Sequence, residues 1–237
     1  SSTLVFSHYK NELTSIQSGL NLFEQVNTNG YLPVVATNTV VGSAIGLFYG
    51  YQTDGIFNDL TELNAAPLQF GQTVGTAPGQ TYLGDVKYKD VNGDGAVDAD
   101  DRTFIGNPHP DFTFGFTNNF KYKDFDLSIF LQGSSGNDIL NLTQRSGTAN
   151  SMLGQNQLVE ALDFWTPTNT DTNIPRPINI ENNTNYNISD RYVEDGSYLR
   201  IQNVTFAYSL PSDIISKIKL SKVRLYTGIQ NLYTFTK

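Results

Sequence analysis

Two kinds of segment alternate along the chain. One is strand-like and rich in Phe, Tyr, Ile, Leu, Val and Thr; the other is long, polar and full of Asn, Gly, Asp, Ser and Pro. The clearest strand pair is "DFTFGFTNNFKYKDFDLSIFLQG". On its first arm Phe112, Phe114, Phe116 and Phe120 fall on one face, and Thr113, Gly115, Thr117 and Asn119 on the other. On its second arm Phe125, Leu127, Ile129 and Leu131 alternate with Asp126, Ser128, Phe130 and Gln132. Period-two alternation on two arms joined by the tight turn Tyr122 to Asp124 predicts a β-hairpin. Three further runs read as strands: Thr3 to Leu13, Tyr192 to Tyr208 and Leu220 to Thr234. Within Tyr192 to Tyr208 the alternation is cleaner after Asn203, where Val204, Phe206 and Tyr208 share a face. Helical periodicity is nearly absent. The exception is about Gln155 to Phe164, where Leu158, Ala161, Leu162 and Trp165 fit a short helix ended by Thr166 and Pro167.

Connector lengths add a second signal. A very long insertion separates the first strand from the hairpin, and another runs from Ser134 to Asp190. Both far exceed the usual link of about 4–6 residues. The hairpin turn and the connector Ser209 to Lys219 are short. Long connections alternating with tight turns are the pattern of outer-membrane barrels, with the long loops outside the cell. A soluble β-sandwich carrying two large insertions has the same loop lengths.

Composition narrows the functional classes. The 237 residues carry 15 Lys+Arg against 23 Asp+Glu, a formal net charge of −8. That balance argues against nucleic acid as a partner, since phosphates attract basic side chains. The absence of Cys removes disulfides, thiol catalysis and Cys-ligated zinc. Disorder conflicts with an aromatic content of 12%. No run reaches the roughly 18–20 apolar residues of a spanning helix, but a spanning strand needs only about 10 of alternating polarity. The start at Ser1 without Met, and the stop at Lys237 within a strand-like run, read as the ends of a fragment.

The most specific local motif is "DVNGDGAVDADD". Asp90, Asn92 and Asp94 stand at positions 1, 3 and 5 of a calcium loop, Gly95 at the sharp turn, Ala96 at the carbonyl position 7, Asp98 at 9 and Asp101 at 12. Ca2+ takes six to eight oxygens, and this spacing wraps them around one ion. A structural calcium would tie a long loop into one conformation. The alternative is an Asp/Asn/Gly turn that holds itself without metal. Position 12 is Asp rather than the longer Glu, and the proline-broken "IGNPHPDF" follows in place of an exiting helix.

Catalytic signatures are lacking: there is no G-x-S-x-G, H-E-x-x-H or P-loop. His8 in a strand and His109 between two prolines read as surface or packing residues. Asp163, Glu194 and Asp195 could serve a glycosidase, which needs two facing carboxylates, but nothing in the sequence pairs them. The run "GLFYGYQTDGIF" sets Phe48, Tyr49 and Tyr51 among glycines. They form either a platform that stacks on a ligand or partner, or a small core that pins the loop.

Five segments in order, "GLFYGYQTDGIF", "GDVKYKDVNGDGAVDADDRTFIGNPHPDFTFGFTNNFKYKDFDLSIFLQG", "DFWTPTNTDTNIPRP", "RYVEDGSYLRIQNVTFAYSLP" and "VRLYTGIQNLYTFTK", resemble the C-terminal part of the SusC/RagA class of TonB-dependent outer-membrane transporters. They cover most of the chain from about Gly46 onward; the first forty residues match more weakly. The resemblance implies an all-β fold: antiparallel strands forming the C-terminal section of a 22-stranded transmembrane β-barrel with long extracellular loops. Residues 1–237 would be one barrel portion, with the plug and earlier strands upstream and the final strand downstream. The implied activity is import of oligosaccharides or peptides, with a SusD-like surface lipoprotein as lid and TonB supplying energy through the absent N-terminal part. In that setting Phe112, Phe114, Phe116, Leu127, Ile129 and Leu131 face outer-membrane lipid, and Thr113, Thr117, Asn119, Asp126, Ser128 and Gln132 face the lumen. The 90–101 loop and the Phe48–Tyr51 segment then lie outside the cell. The competing expectation is a secreted, calcium-stabilised β-sandwich that binds carbohydrate or acts as an adhesin, and a secreted hydrolase is a third.

Overall fold

A computed structural model describes residues 1–17, 22–26, 34–148, 156–178, 184–216 and 220–236. The chain divides into two compact units. Residues 1–10, 108–138 and 195–237 form the first, and 11–107 with 139–194 form the second.

The first unit is a five-stranded antiparallel sheet of Ser2–Ser7, Phe112–Tyr122, Phe125–Ser135, Tyr198–Ser209 and Arg224–Thr236, adjacent in chain order. Its register puts the alternating apolar residues together. Leu4 and Phe6 pair with Phe116 and Phe114, and Phe116 and Phe120 pair with Leu131 and Leu127. Ile129 pairs with Val204 and Leu127 with Phe206, and Val204 pairs in turn with Ile229. The opposite face sets Thr113 against Ser134, Gly115 against Gln132 and Asn119 against Ser128. The two faces are those expected from periodicity. Asn118 interrupts the apolar face, where Ser2 Oγ donates to its Oδ1 at 2.6 Å.

The hairpin turn is two residues long, with Tyr122 paired to Phe125 and Lys123 in the left-handed region at φ 51°. The irregular alternation before Asn203 has a local cause. Phe130 pairs with Asn203 but Leu131 pairs with Ile201, so Gln202 is an extra residue, a β-bulge. The bulge swaps parity, so Leu199 and Ile201 join the face of Val204 and Phe206. Asn231, at φ 52°, lies in the matching irregularity of the neighbouring strand. Gly133 is required at its position: a Cβ there would stand 2.4 Å from the Phe114 ring and 2.9 Å from the Tyr198 carbonyl oxygen.

Four expected boundaries shift. The first strand ends at Ser7 rather than Leu13, because its partner strand begins at Phe112 and offers no pairing past Thr113. Tyr192 to Tyr208 is not continuous: Asp190–Tyr192 is a 3-10 turn, Val193–Asp195 a short strand, and the long strand starts at Tyr198. The last strand begins at Arg224, not Leu220. The helix near 155–164 is a 3-10 segment, Val159–Asp163; Gln155 lies outside the described residues. At three residues per turn Leu158 and Ala161 align and Leu162 rotates away. Accordingly Ala161 and Trp165 are buried while Leu162 is 78% exposed.

The second unit is built from short pieces. Leu22–Val26, Val34–Thr39, Leu47–Gly50 and Thr103–Gly106 make a four-stranded sheet in that order. Thr53–Ile56 pairs with Val86–Tyr88, and Leu68–Gln69 pairs in parallel with Ala96–Val97. A one-and-a-half-turn helix, Leu60–Ala65, starts at Asp59, whose carboxylate accepts from the Thr61 and Glu62 amides. Tyr51, Val86, Tyr88 and Val97, with Phe70 against them, form the core. A buried polar network crosses the unit. Arg176 makes a two-pronged pair with Asp85, Nε to Oδ1 and Nη2 to Oδ2 both at 2.8 Å. Asn185 donates to Asp85 at 3.0 Å and accepts from the Val86 amide at 2.9 Å. Gln69 then bridges the Val86 carbonyl and the Tyr88 amide. The short strand Val86–Tyr88 thus finds in the Asn185 and Gln69 side chains partners for backbone groups that strand pairing leaves open.

Candidate functional site

The 90–101 loop is closed by its own carboxylates. Asp90 accepts from the Gly93 amide at 2.6 Å and the Gly95 amide at 2.8 Å. Asn92 Oδ1 accepts from the Asp94 amide and Asp94 Oδ1 from the Ala96 amide, each at 2.9 Å. Asp98 caps the 3-10 turn Ala99–Asp101. Gly93 and Gly95 take φ of 78° and 91°, which side-chain-bearing residues avoid. Asp101 is fully buried. Its Oδ1 accepts from the Val91 and Asn92 amides and its Oδ2 from the Asp98 amide, so it clamps both ends of the loop.

The oxygen chemistry suits a hard cation, because an ionised carboxylate has about four lone-pair sites and the amides occupy only some of them. Asp101 Oδ1 is the exception, with both of its sites taken by amides. Among the described residues no group of three or more His, Asp or Glu side chains is gathered as a metal-holding cluster. The loop as it stands is therefore held by hydrogen bonds between its own residues.

The three aromatic candidates have different fates. Tyr51 belongs to the core at 9% exposure, with its ring 5.2 Å from Phe70 and 5.5 Å from Tyr88. Of the two readings offered for this residue, its burial in the core fits the one that pins the segment and not a ring open for stacking. Burial pushes its phenol above the usual value. Phe48 is half-buried and pairs with Thr37 and Gly106. Tyr49 is half-buried and lies between Phe23 and Phe104, each 5.8 Å away by ring centroid. Phe23 is 42% and Phe104 37% exposed. The Arg102 guanidinium sits 5.6 Å over the Tyr49 ring.

The aromatic row and the 90–101 loop are physically joined. Arg102 follows the loop directly and its Nε donates to the Ala99 carbonyl at 3.2 Å. Phe104 is in the strand that leaves the loop and pairs with Tyr49. The loop's shape thus sets where Arg102 and Phe104 stand. Sequence reading missed Phe23, Arg102 and Phe104: Phe23 lies far from the other two in the chain, and a lone Phe in a polar stretch carries no periodic signal.

The remaining candidates do not converge. Asp163 accepts from Asn169, Glu194 from Asn141 and Asp195 from the Ser197 amide. Asp163 and Asp195 are local turn acceptors, and Glu194 takes a hydrogen bond from a side chain 53 positions away. His8 bonds through Nδ1 to the Asp111 carbonyl, and His109 packs edge-on against Tyr9. Other ionisable groups of this unit serve structure. Burial raises the phenols of Tyr88, strongly, and of Tyr192, and lowers Arg145, whose Nε donates to the Tyr186 carbonyl at 2.6 Å.

Known proteins match this chain along nearly all of its length. The chain is 38% identical over 234 residues to TonB-dependent receptor P3 of Formosa agariphila and 33% identical to TonB-dependent receptor P26 of the same organism, in each case over 98% of this chain and 22% of the relative. TonB-dependent receptor SusC of Bacteroides thetaiotaomicron is 26% identical over 63% of the chain. The chain thus spans about a fifth of the length of the curated relatives it matches most fully. Among solved structures, the RagAB peptide transporter superposes on all of the chain and 23% of its own, with a TM-score of 0.70 at 21% identity. A second RagAB structure, in the closed-closed state, gives 0.68. No family model matches the chain. The fold is that of the barrel transporters, which decides between the barrel and sandwich expectations.

Proposed function

Since the chain belongs to the SusC/RagA class of TonB-dependent receptors, we propose that it serves nutrient import across the outer membrane of a Gram-negative bacterium. The first unit is a stretch of barrel wall and the second is the extracellular elaboration that meets substrate. The observation that carries this reading is the two-faced sheet. Four of its strands, of 11 to 13 residues, are long enough to cross the hydrocarbon layer, and one face is mainly apolar in register across all five, interrupted at Ser2, Asn118 and Thr227. The opposite face, with Thr113, Gln132, Ser128 and Arg200, lines the lumen. Relatives named as receptors and transporters accord with a chain that moves cargo and does no chemistry on it.

The cargo is an oligosaccharide or a peptide, delivered under a SusD-like lipoprotein lid and drawn inward by TonB. The half-exposed row of Phe23, Tyr49 and Phe104, with Arg102 over its centre, is the surface of the second unit that contacts it. The 90–101 loop holds a structural Ca2+ through Asp90, Asn92, Asp94, the Ala96 carbonyl, Asp98 and the remaining site on Asp101. Five aspartates in twelve residues repel one another, and a divalent ion offsets that repulsion.

Fractionation tests the first claim: the protein is expected in the outer-membrane fraction, released by detergent and not by salt or alkali. Recovery as a soluble monomer would refute the barrel-wall assignment. For the loop, added calcium should raise the melting temperature of the second unit and a chelator should reverse it, since a ligand that binds only the folded state stabilises it. Asp94→Ala should abolish that response. A calcium-independent melting curve would leave the loop as a self-held turn.

A further inference from the structure

The Asn92–Gly93 dipeptide is chemistry that import leaves unused. A side-chain amide followed by glycine is open to attack by the next backbone nitrogen, because glycine has no Cβ to obstruct the approach. Gly93 N would form a bond to Asn92 Cγ while the Cγ–Nδ2 bond breaks. Ammonia leaves with the proton given up by the Gly93 amide. Water then opens the resulting five-membered succinimide to aspartate or isoaspartate. No oxidant, reductant or metal is needed.

Asn92 is exposed, so water reaches it freely. Yet each atom the reaction uses is held. The Gly93 N–H donates to Asp90 Oδ1 at 2.6 Å, a short bond to a charged acceptor that retains the proton the nucleophile must lose. Asn92 Oδ1 accepts from the Asp94 amide at 2.9 Å, and Asn92 Nδ2 donates to Asp94 Oδ2 at 3.1 Å. These two bonds keep Cγ from swinging onto the Gly93 nitrogen. We propose that Asn92–Gly93 is a latent deamidation site, held shut by Asp90 and Asp94 and opened when Asp90 lets go. Conversion to aspartate would add a carboxylate at the third position of the loop. Conversion to isoaspartate would lengthen the backbone there by one carbon and break the turn that places Arg102 and Phe104.

The experiment follows the mass of the peptide containing Asn92 over time, in the detergent-purified protein held in mildly alkaline buffer with a calcium chelator. The chelator makes the result independent of whether the loop binds calcium. The free peptide Asp90 to Asp101 is the unfolded reference. The parent protein should deamidate at least about tenfold more slowly than that peptide, the order expected of hydrogen bonds to a charged group. Asp90→Ala should recover most of that difference. Asp100→Ala removes a carboxylate from the same loop but no bond to Asn92 or Gly93, and Val97→Ala loosens the core beneath it. Both should stay within roughly twofold of the parent, in line with the small effect of sites that share no partner. Deamidation of the parent at the peptide's rate would overturn the proposal. So would an unchanged rate in Asp90→Ala, or an acceleration in Val97→Ala equal to that in Asp90→Ala.

Discussion

The two units of this chain solve the problem of covering apolar surface in opposite ways. The second unit covers its own. Apart from Ala207 and Ile215, every buried apolar side chain of the described residues lies in it. Its short strands are stitched by side chains such as Asp85, Asn185 and Gln69, which are themselves at most 5% exposed. The first unit covers almost nothing. Phe6, Phe120, Phe206, Ile229 and Phe235 each keep between 43% and 62% of their surface open, yet its backbone ladder is long and regular. A sheet of that kind draws order from backbone pairing and leaves its apolar face to the surroundings. The difference shows where each unit is fragile: the second at a few buried polar links, the first wherever a charge is set on the apolar face.

The largest expected effect tests the polar links. Asp85→Ala removes the carboxylate that Arg176 and Asn185 share inside the second unit, and should cost about 3–5 kcal/mol, as breaking one side of a buried pair does. Limited proteolysis of residues 34–107 reads this directly. The first unit should be insensitive, and simultaneous loss of both would break the comparison.

Next in size is the asymmetry of the sheet. In the membrane-inserted protein, Ile129→Arg should cost about 2–4 kcal/mol near mid-bilayer, while Ser128→Arg, one residue away on the other face, should cost about 1 kcal/mol or less. Unfolding from lipid vesicles compares the two. Equal costs would mean that neither face meets lipid.

A smaller effect separates the units by pH. The Tyr88 and Tyr192 phenols are pushed up by burial, so the folded second unit resists their ionisation. A raised folded value leaves stability intact below the ordinary phenol value near 10 and erodes it as pH rises above it. The second unit should therefore loosen first in alkali, and Tyr192→Phe should delay the onset in a near-ultraviolet circular dichroism titration. The smallest effect is at the hairpin. Lys123→Gly relieves a left-handed residue at φ 51° and should stabilise the sheet by about 1 kcal/mol or less, visible only as a slower unfolding rate.

The legibility of the sequence followed the same division. Phe112 to Leu131 could be sorted onto two faces by counting alternate residues, and the register agrees position by position. Counting failed where one extra residue intervened: Gln202 reverses parity, and nothing in "RIQNVTF" announces a bulge. In the second unit the order of residues said less. Tyr49 and Tyr51 look alike in "LFYGYQ", yet one lies in a half-exposed row and the other in the core. Their neighbours, Phe23, Phe70, Tyr88 and Phe104, arrive from separate segments. The 90–101 loop was legible as a motif because its hydrogen bonds run between residues a few positions apart.

The sequence by itself therefore determined what depends on local spacing. The long strands, their two faces, the tight turn at Lys123 and the closed Asp/Asn/Gly loop all rest on interactions set by period or by short separation along the chain. Only the tertiary structure decided which aromatics are buried, that Asp85 meets Arg176 and Asn185 across 91 and 100 positions, and that the row of Phe23, Tyr49 and Phe104 exists. Those contacts form because short elements with open backbone groups and apolar faces must find partners, and the chain supplies them from wherever the fold brings them near.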